Sequence, residues 1–193
     1  MKLYLSVIGI VMTLISIANI AFGTAPWHYV IIATVWCTAL QFALDGALAT
    51  LIKILPDCWF GADNPLYRVS DKEKRLYKRL EVRRWKDKIW ELGGIGGFSK
   101  KNLQEPQSAA YVEKFIIECN KGVLIHRLSY PIGFLAMLTL RGACVFTVAL
   151  PVAAVNLFLN VLPTLALRYN TPMLQAHLKR LRKKERRAAE SLK

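Results

Sequence analysis

From Leu3 to Gly23 the chain carries no charged residue, and this run restricts the folds open to it more than any other feature. As a helix, a stretch of this length rises about 30 Å, the thickness of a bilayer's hydrocarbon core. A secretory signal has a shorter apolar stretch and a cleaner cleavage site than Ala21-Phe22-Gly23-Thr24-Ala25, so the run is expected to be a retained anchor. A second run follows from Tyr29 to Leu55, with Asp45 as its only acid. Apolar character returns at residues 128–140 and, after Arg141-Gly142, at 143–167. The expected fold is therefore an all-α integral membrane protein with four transmembrane helices, at 3–23, 29–55, 128–140 and 143–167, or with two plus a re-entrant hairpin. Thirteen residues rise only about 20 Å as a helix. The third crossing is thus expected to begin upstream, near Tyr111, and to carry His126 and Arg127 into the membrane boundary. The hairpin formed by residues 128–167 is the alternative.

Composition decides what surrounds these runs. Hydrophobic residues make up 54% of the chain, and 27 Lys and Arg stand against 13 Asp and Glu for a net charge of +14. A chain both this apolar and this basic is matched to membrane lipids with anionic headgroups, not to nucleic acid. The basic residues concentrate in segment 56–127 and in the tail 168–193. Positive-inside bias then predicts a multi-pass protein of the cell membrane with both termini cytoplasmic. Segment 56–127 reads as interfacial helix. From Asp71 to Leu92, Leu76, Leu80, Trp85 and Ile89 recur near helical spacing, with Trp85 expected at the headgroups. Gly93 to Gly97 reads as a helix stop and flexible loop, because a phosphate-cradling loop would need a different spacing and a preceding strand. Thr171-Pro172 reads as the N-cap and first position of a separate basic tail helix. The cysteines at 37, 58, 119 and 144 form no pair at metal-ligand spacing, so no metal site is expected and they are read as small buried apolar residues.

Ionisable groups at a membrane boundary are where chemistry is sought. His28 and His177 read as an interfacial and a solvated residue, whereas His126 lies on the stretch Tyr111 to Arg127 with Glu118 and Lys121. An imidazole there can take a proton from an alcohol if a carboxylate fixes its tautomer. Glu118 is eight residues away, about 12 Å along a helix and about 80° round it, so a regular helix keeps the two apart. The positions that would face His126 hold Gly122 and Val123, while Glu118 and Lys121 are spaced to pair with each other. Asp45, an acid inside an apolar run, is expected to face a partner, with His126, Arg127 and Lys121 the candidates. Asn156 and Asn160, one turn apart, read as interhelical hydrogen-bonding glue or as the wall of a polar site.

Three stretches in order resemble the small membrane acyltransferases typified by glycosyl-4,4'-diaponeurosporenoate acyltransferase. Val82-Arg83-Arg84-Trp85-Lys86-Asp87-Lys88-Ile89 is similar to that family's basic Trp-Lys-x-Lys element. Glu118-Cys119-Asn120-Lys121-Gly122-Val123-Leu124-Ile125-His126 resembles its Glu-Thr-x-Arg-Ala-Glu-Leu-x-His-Trp signature, and Asn160-Val161-Leu162-Pro163 followed by Arg168-Tyr169-Asn170-Thr171-Pro172 resembles its third element. The chain departs from the pattern at Lys121, at Val123 where the family has its second Glu, and at Arg127, Leu167, Thr171 and Met173.

The resemblance implies a bacterial membrane acyltransferase that moves a fatty acyl group to a hydroxyl of a lipid or glycolipid. It implies no cofactor beyond an acyl donor such as a thioester or phospholipid. His126 and Glu118 would be the catalytic pair, with Arg168, Tyr169, Asn170, Lys121, Asp45 and Trp85 toward substrate. If the missing Glu was the partner of the His, Asp45 is the nearest replacement by topology. The alternative is a catalytically silent relative that binds lipid and serves a membrane protein partner as subunit or scaffold; a small transporter component is a third reading.

Overall fold

The computed structural model describes residues 2–89 and 103–191, with side chains from residue 5. The glycine-rich stretch 93–97 lies outside the described residues. Among those described the secondary structure is all helical: α1 (Lys2–Phe22), α2 (Trp27–Lys53), α3 (Asp71–Arg79), α4 (Val82–Trp85), α5 (Ala109–Ile132) and α6 (Leu150–Glu190). Short 3-10 turns and one π-helical turn, Val145–Ala149, connect them. Four helical stretches are long and apolar enough to cross a membrane: Leu5–Phe22, Trp27–Lys53, Ala109–Thr139 and Val145–Glu190. The third begins at Ala109 and continues past Ile132 as a 3-10 helix over Gly133–Thr139. The chain divides into two compact units, residues 1–51 with 125–161, and residues 52–124 with 162–193.

The first unit turns much of its apolar surface outward. Ile10, Leu14 and Ile17 on α1 and Ile32 on α2 are each about 60% exposed, which hydrocarbon tolerates and water does not. Inside, small residues allow close approach, with Ala33, Cys37, Ala136 and Ala149 all buried. Between these small residues, polar side chains join the helices through backbone groups that the helices cannot satisfy themselves. Pro151 lacks the N–H that would bond the Thr147 carbonyl in a regular helix, and Asn19 Nδ2 on α1 donates to that oxygen at 2.8 Å. Asn19 is 8% exposed. Asn19→Leu, which removes the bridge from α1 to the Thr147 carbonyl, is expected to lower unfolding free energy by about 0.5–1.5 kcal/mol, the usual net worth of one hydrogen bond, read as a lower unfolding midpoint of the purified protein. The turn before this segment passes through Gly142, whose φ of +63° an L side chain adopts only under strain.

The second unit is built on α5 and α6, whose residues Val112, Ile116, Leu178 and Leu181 form one buried cluster with Ala62 and Ala109. Phe115, Cys119, Val123 and Leu167 form another. The reading of 71–92 as one continuous helix is corrected: α3 ends at Arg79 and Glu81 takes a left-handed conformation, φ 47°. In an unbroken helix Tyr77 and Val82 would point about 140° apart. The break lets both join Val69 in one buried cluster. Trp85, which packs against that cluster, donates Nε1–H to the Leu80 carbonyl at 2.8 Å, so its indole closes the end of α3. The separate tail helix is also corrected, because α6 runs unbroken through Pro163 and Pro172. Leu167 and Leu174, on either side of Pro172, are packed in the α5–α6 core, and the Thr171 hydroxyl donates back to the Leu167 carbonyl at 3.1 Å. Tertiary packing thus overrides the local stop signal.

Candidate active site

In the first unit, His126 on α5 meets Asn160 on α6, with Nδ1 and Oδ1 2.8 Å apart. The Asn160 amide nitrogen lies 3.0 Å from the Asn156 carbonyl oxygen, 3.1 Å from Asn156 Oδ1 and 3.4 Å from Asp45 Oδ2 on α2. A backbone carbonyl only accepts, so the NH2 end of Asn160 faces Asn156 and Asp45 while its oxygen faces the imidazole. Nδ1 must then be the donating nitrogen. The neutral ring carries its lone pair on Nε2, the arrangement a general base requires. Asn160 is 7% exposed and Asn156 9%, so the linking amide is buried, while His126 and Asp45 at its two sides are half-buried.

Sequence reasoning sought a carboxylate in contact with His126. The structure supplies Asp45 one residue removed, with an asparagine as the link. Asn160 was legible only as a polar residue one turn from Asn156. Its 34-residue separation from His126 gave no spacing signal, and only the pairing of α5 with α6 makes them neighbours.

The other expected site residues lie in the second unit. Glu118 is 3.9 Å from Lys121, a loose ion pair, whereas Lys121 Nζ is 2.5 Å from Asp57 Oδ1 and 5.5 Å from the Phe60 ring centroid. Lys121 is thereby fixed against the 3-10 turn Asp57–Phe60, which Asn120 also holds by donating Nδ2–H to the Phe60 carbonyl at 2.8 Å. Val123, at the position of the family's second Glu, is 1% exposed among apolar neighbours.

Arg168 holds Glu73 with both arms of its fork, Nε to Oε1 at 2.7 Å and Nη2 to Oε2 at 2.8 Å, and Nη2 also donates to the Arg68 carbonyl. The guanidinium is 4% exposed and engaged in this internal clamp, while Nη1 makes no hydrogen bond. The Glu73 carboxylate also accepts from the Ser70 N–H and the Tyr77 hydroxyl. Burial raises the pKa of Glu73, but the bonds from Arg168 and Ser70, the Arg168 charge and the Tyr77 hydroxyl outweigh it and bring it down to about 2. Ser70 and Glu73 form a capping box at the start of α3. That Ser-x-x-Glu spacing is a sequence signal for the start of α3, but it does not point to Arg168, 95 residues away.

Tyr169 stacks edge-on to Tyr77, with Lys86 Nζ 6.0 Å from its ring centroid. Together with Lys74, Lys78, Arg83 and Arg84 the two tyrosines line a basic recess. Asn170 is half-buried on α6 next to Tyr169. His177, expected to be solvated, is half-buried and donates Nε2–H to the Pro106 carbonyl at 2.7 Å.

Neither the curated proteins nor the solved structures contain a match to this chain. A family model described as glycosyl-4,4'-diaponeurosporenoate acyltransferase matches residues 56–180, which include His126, Asn160 and the Arg168 clamp but not α1, α2 or Asp45. With that match covering most of its length, the chain belongs to the glycosyl-4,4'-diaponeurosporenoate acyltransferase family.

Proposed function

We propose that this chain is a multi-pass acyltransferase of the cell membrane that moves a fatty acyl group to a hydroxyl of a lipid or glycolipid acceptor at the cytoplasmic interface. Family membership supports acyl transfer. The observation that carries the mechanism is the Asn160 amide, which accepts from His126 Nδ1 and turns its NH2 toward Asp45. In this reading His126 Nε2 takes the proton from the acceptor hydroxyl as its oxygen attacks the acyl carbonyl. The tetrahedral intermediate then collapses, the bond to the leaving group breaks, and the imidazolium returns the proton to that group. Asn160 holds the ring's tautomer throughout, and the Asp45 carboxylate keeps the amide oriented.

The acyl donor is a thioester or a phospholipid, and no cofactor is required. The basic recess of Lys74, Lys78, Arg83 and Arg84 suits anionic headgroups or the phosphates of a donor. The concentration of Lys and Arg in residues 56–127 and 168–193 supports cytoplasmic termini.

Purified protein in liposomes, given a labelled acyl thioester or a labelled phospholipid together with a hydroxylated lipid, is expected to form a new ester over time by mass spectrometry. Val123 favours a second reading, a lipid-binding subunit without activity that serves a membrane protein partner. No ester with either donor, together with stable capture of a membrane protein, would select it.

A further inference from the structure

Between α3 and α4 the chain turns through Glu81 in the left-handed conformation, φ 47°, which a residue other than glycine adopts only at a cost. Glu81 lines a recess of the second unit, with about 580 Å³ of space outside the atoms, part of it open to the surroundings. Lys74 and Lys78 of α3 and Arg83 and Arg84 of α4 line it as well. In an unbroken helix Lys78 and Arg83 would point about 140° apart, and Lys74 and Arg83 to opposite sides. The strained turn gathers these four cations around one opening. All four are exposed, so the recess opens directly onto them.

Two of the four are already matched. Lys74 Nζ lies 2.8 Å from Asp71 Oδ1, and Arg84 Nη1 lies 2.6 Å from Glu81 Oε2. Among the described residues Lys78 and Arg83 have no ion pair. The recess therefore holds two uncompensated positive charges on neighbouring elements, a repulsion that a bound anion relieves.

The number of charges selects the anion. A phosphate monoester carries close to two negative charges at neutral pH and three terminal oxygens. An Arg fork takes two oxygens and a Lys ammonium the third. A phosphodiester brings one charge and two free oxygens, which leaves one cation unmatched. A choline head adds a cation to a cationic site. Leu76 and Leu80 on α3 are 45% and 43% exposed, apolar surface that the glycerol backbone and first methylenes of a lipid cover and a soluble phosphate does not.

We propose that this recess binds the phosphate-monoester headgroup of an anionic phospholipid, one molecule per chain, and that the lipid ties α3 to α4 across the Glu81 turn. The proposal assigns the recess to a resident headgroup, not to a reacting donor, and stands independently of the acyl-transfer reading.

The test uses the full chain in mild detergent with phosphatidic acid, phosphatidylglycerol or phosphatidylcholine of equal chain length, and native mass spectrometry counts the bound lipid. One phosphatidic acid per chain is expected, with phosphatidylglycerol about fivefold weaker and phosphatidylcholine not retained. Lys78→Gln/Arg83→Gln is expected to weaken phosphatidic acid binding about thirtyfold, about fivefold for each charge removed. Lys72→Gln/Arg75→Gln removes two exposed cations of α3 that do not line the recess, and is expected to change binding by less than about threefold.

Equal weakening in the two double variants overturns the proposal, because it means diffuse attraction to a basic helix. Equal binding of phosphatidic acid and either other lipid does the same. So does displacement of phosphatidic acid by an acyl-coenzyme A thioester at matched concentration, which would give the recess to the phosphates of a donor. If Lys78→Gln/Arg83→Gln does not fold, the lipid comparison and this competition on the unmodified protein decide. No arm reads ester formation, so failure of the acyl-transfer reading leaves these outcomes unchanged.

Discussion

Glu73→Leu is expected to lower the unfolding free energy by about 3–5 kcal/mol, the loss typical of a buried ion pair broken on one side. The substitution removes the acid that both arms of Arg168 hold, leaving a guanidinium that is 4% exposed with no counter-charge. It also removes the capping box of α3 and the acceptor of the Tyr77 hydroxyl. Removing both charges in Glu73→Leu/Arg168→Leu is expected to recover part of the loss, because no charge is then buried alone. Tryptophan fluorescence during thermal or denaturant unfolding of the purified protein reads both results.

The same pair makes stability depend on pH. The folded-state pKa of Glu73 is depressed from 4.5 to about 2, so its contribution is fully present above about pH 4.5 and is lost as pH falls toward 2. The difference corresponds to about 3 kcal/mol. Glu73→Gln is expected to flatten that part of the profile. An unchanged acid limb in the variant would remove Glu73 as its source.

Long apolar runs near the N-terminus were sufficient to read α1 and α2, because a helix buried in lipid needs only length and apolarity to be recognised. His126 and Asp45 stood out for the same reason, as ionisable groups inside apolar sequence. What joins them was not legible. Asn160 reaches His126 only through the packing of α5 against α6, which periodicity does not specify. The break at Glu81 was missed because apolar spacing from Leu76 to Trp85 satisfies a helix equally well on paper. The burial of Val82 beside Tyr77 decides it in the fold. Pro172 looked like a helix start, yet the cores that hold Leu167 and Leu174 carry α6 straight through it. The bond from Gln41 to the Gly133 carbonyl was invisible for a related reason, since the two residues lie 92 apart in the chain. Among the described residues, local chemistry was thus readable wherever a residue was anomalous for its surroundings. It was hidden wherever function came from two ordinary residues brought together.

His126→Gln is expected to lower acyl transfer by about 10²- to 10⁴-fold, the usual contribution of a general base. Gln retains a hydrogen-bonding side chain near Asn160 but has no basic nitrogen to take the hydroxyl proton. Asn160→Leu is expected to act through the ring's orientation, with a smaller loss of about 10-fold or more in kcat and little change in KM for the acceptor. A purely structural role for Asn160 would instead lower the unfolding midpoint and leave the kcat of the folded fraction intact. The most direct measurement is the initial rate of ester formation by unmodified protein and by His126→Gln, reconstituted side by side at matched unfolding midpoints. The account predicts a rate at least about 100-fold lower in the variant, and a variant that makes ester as fast as the unmodified chain would contradict it.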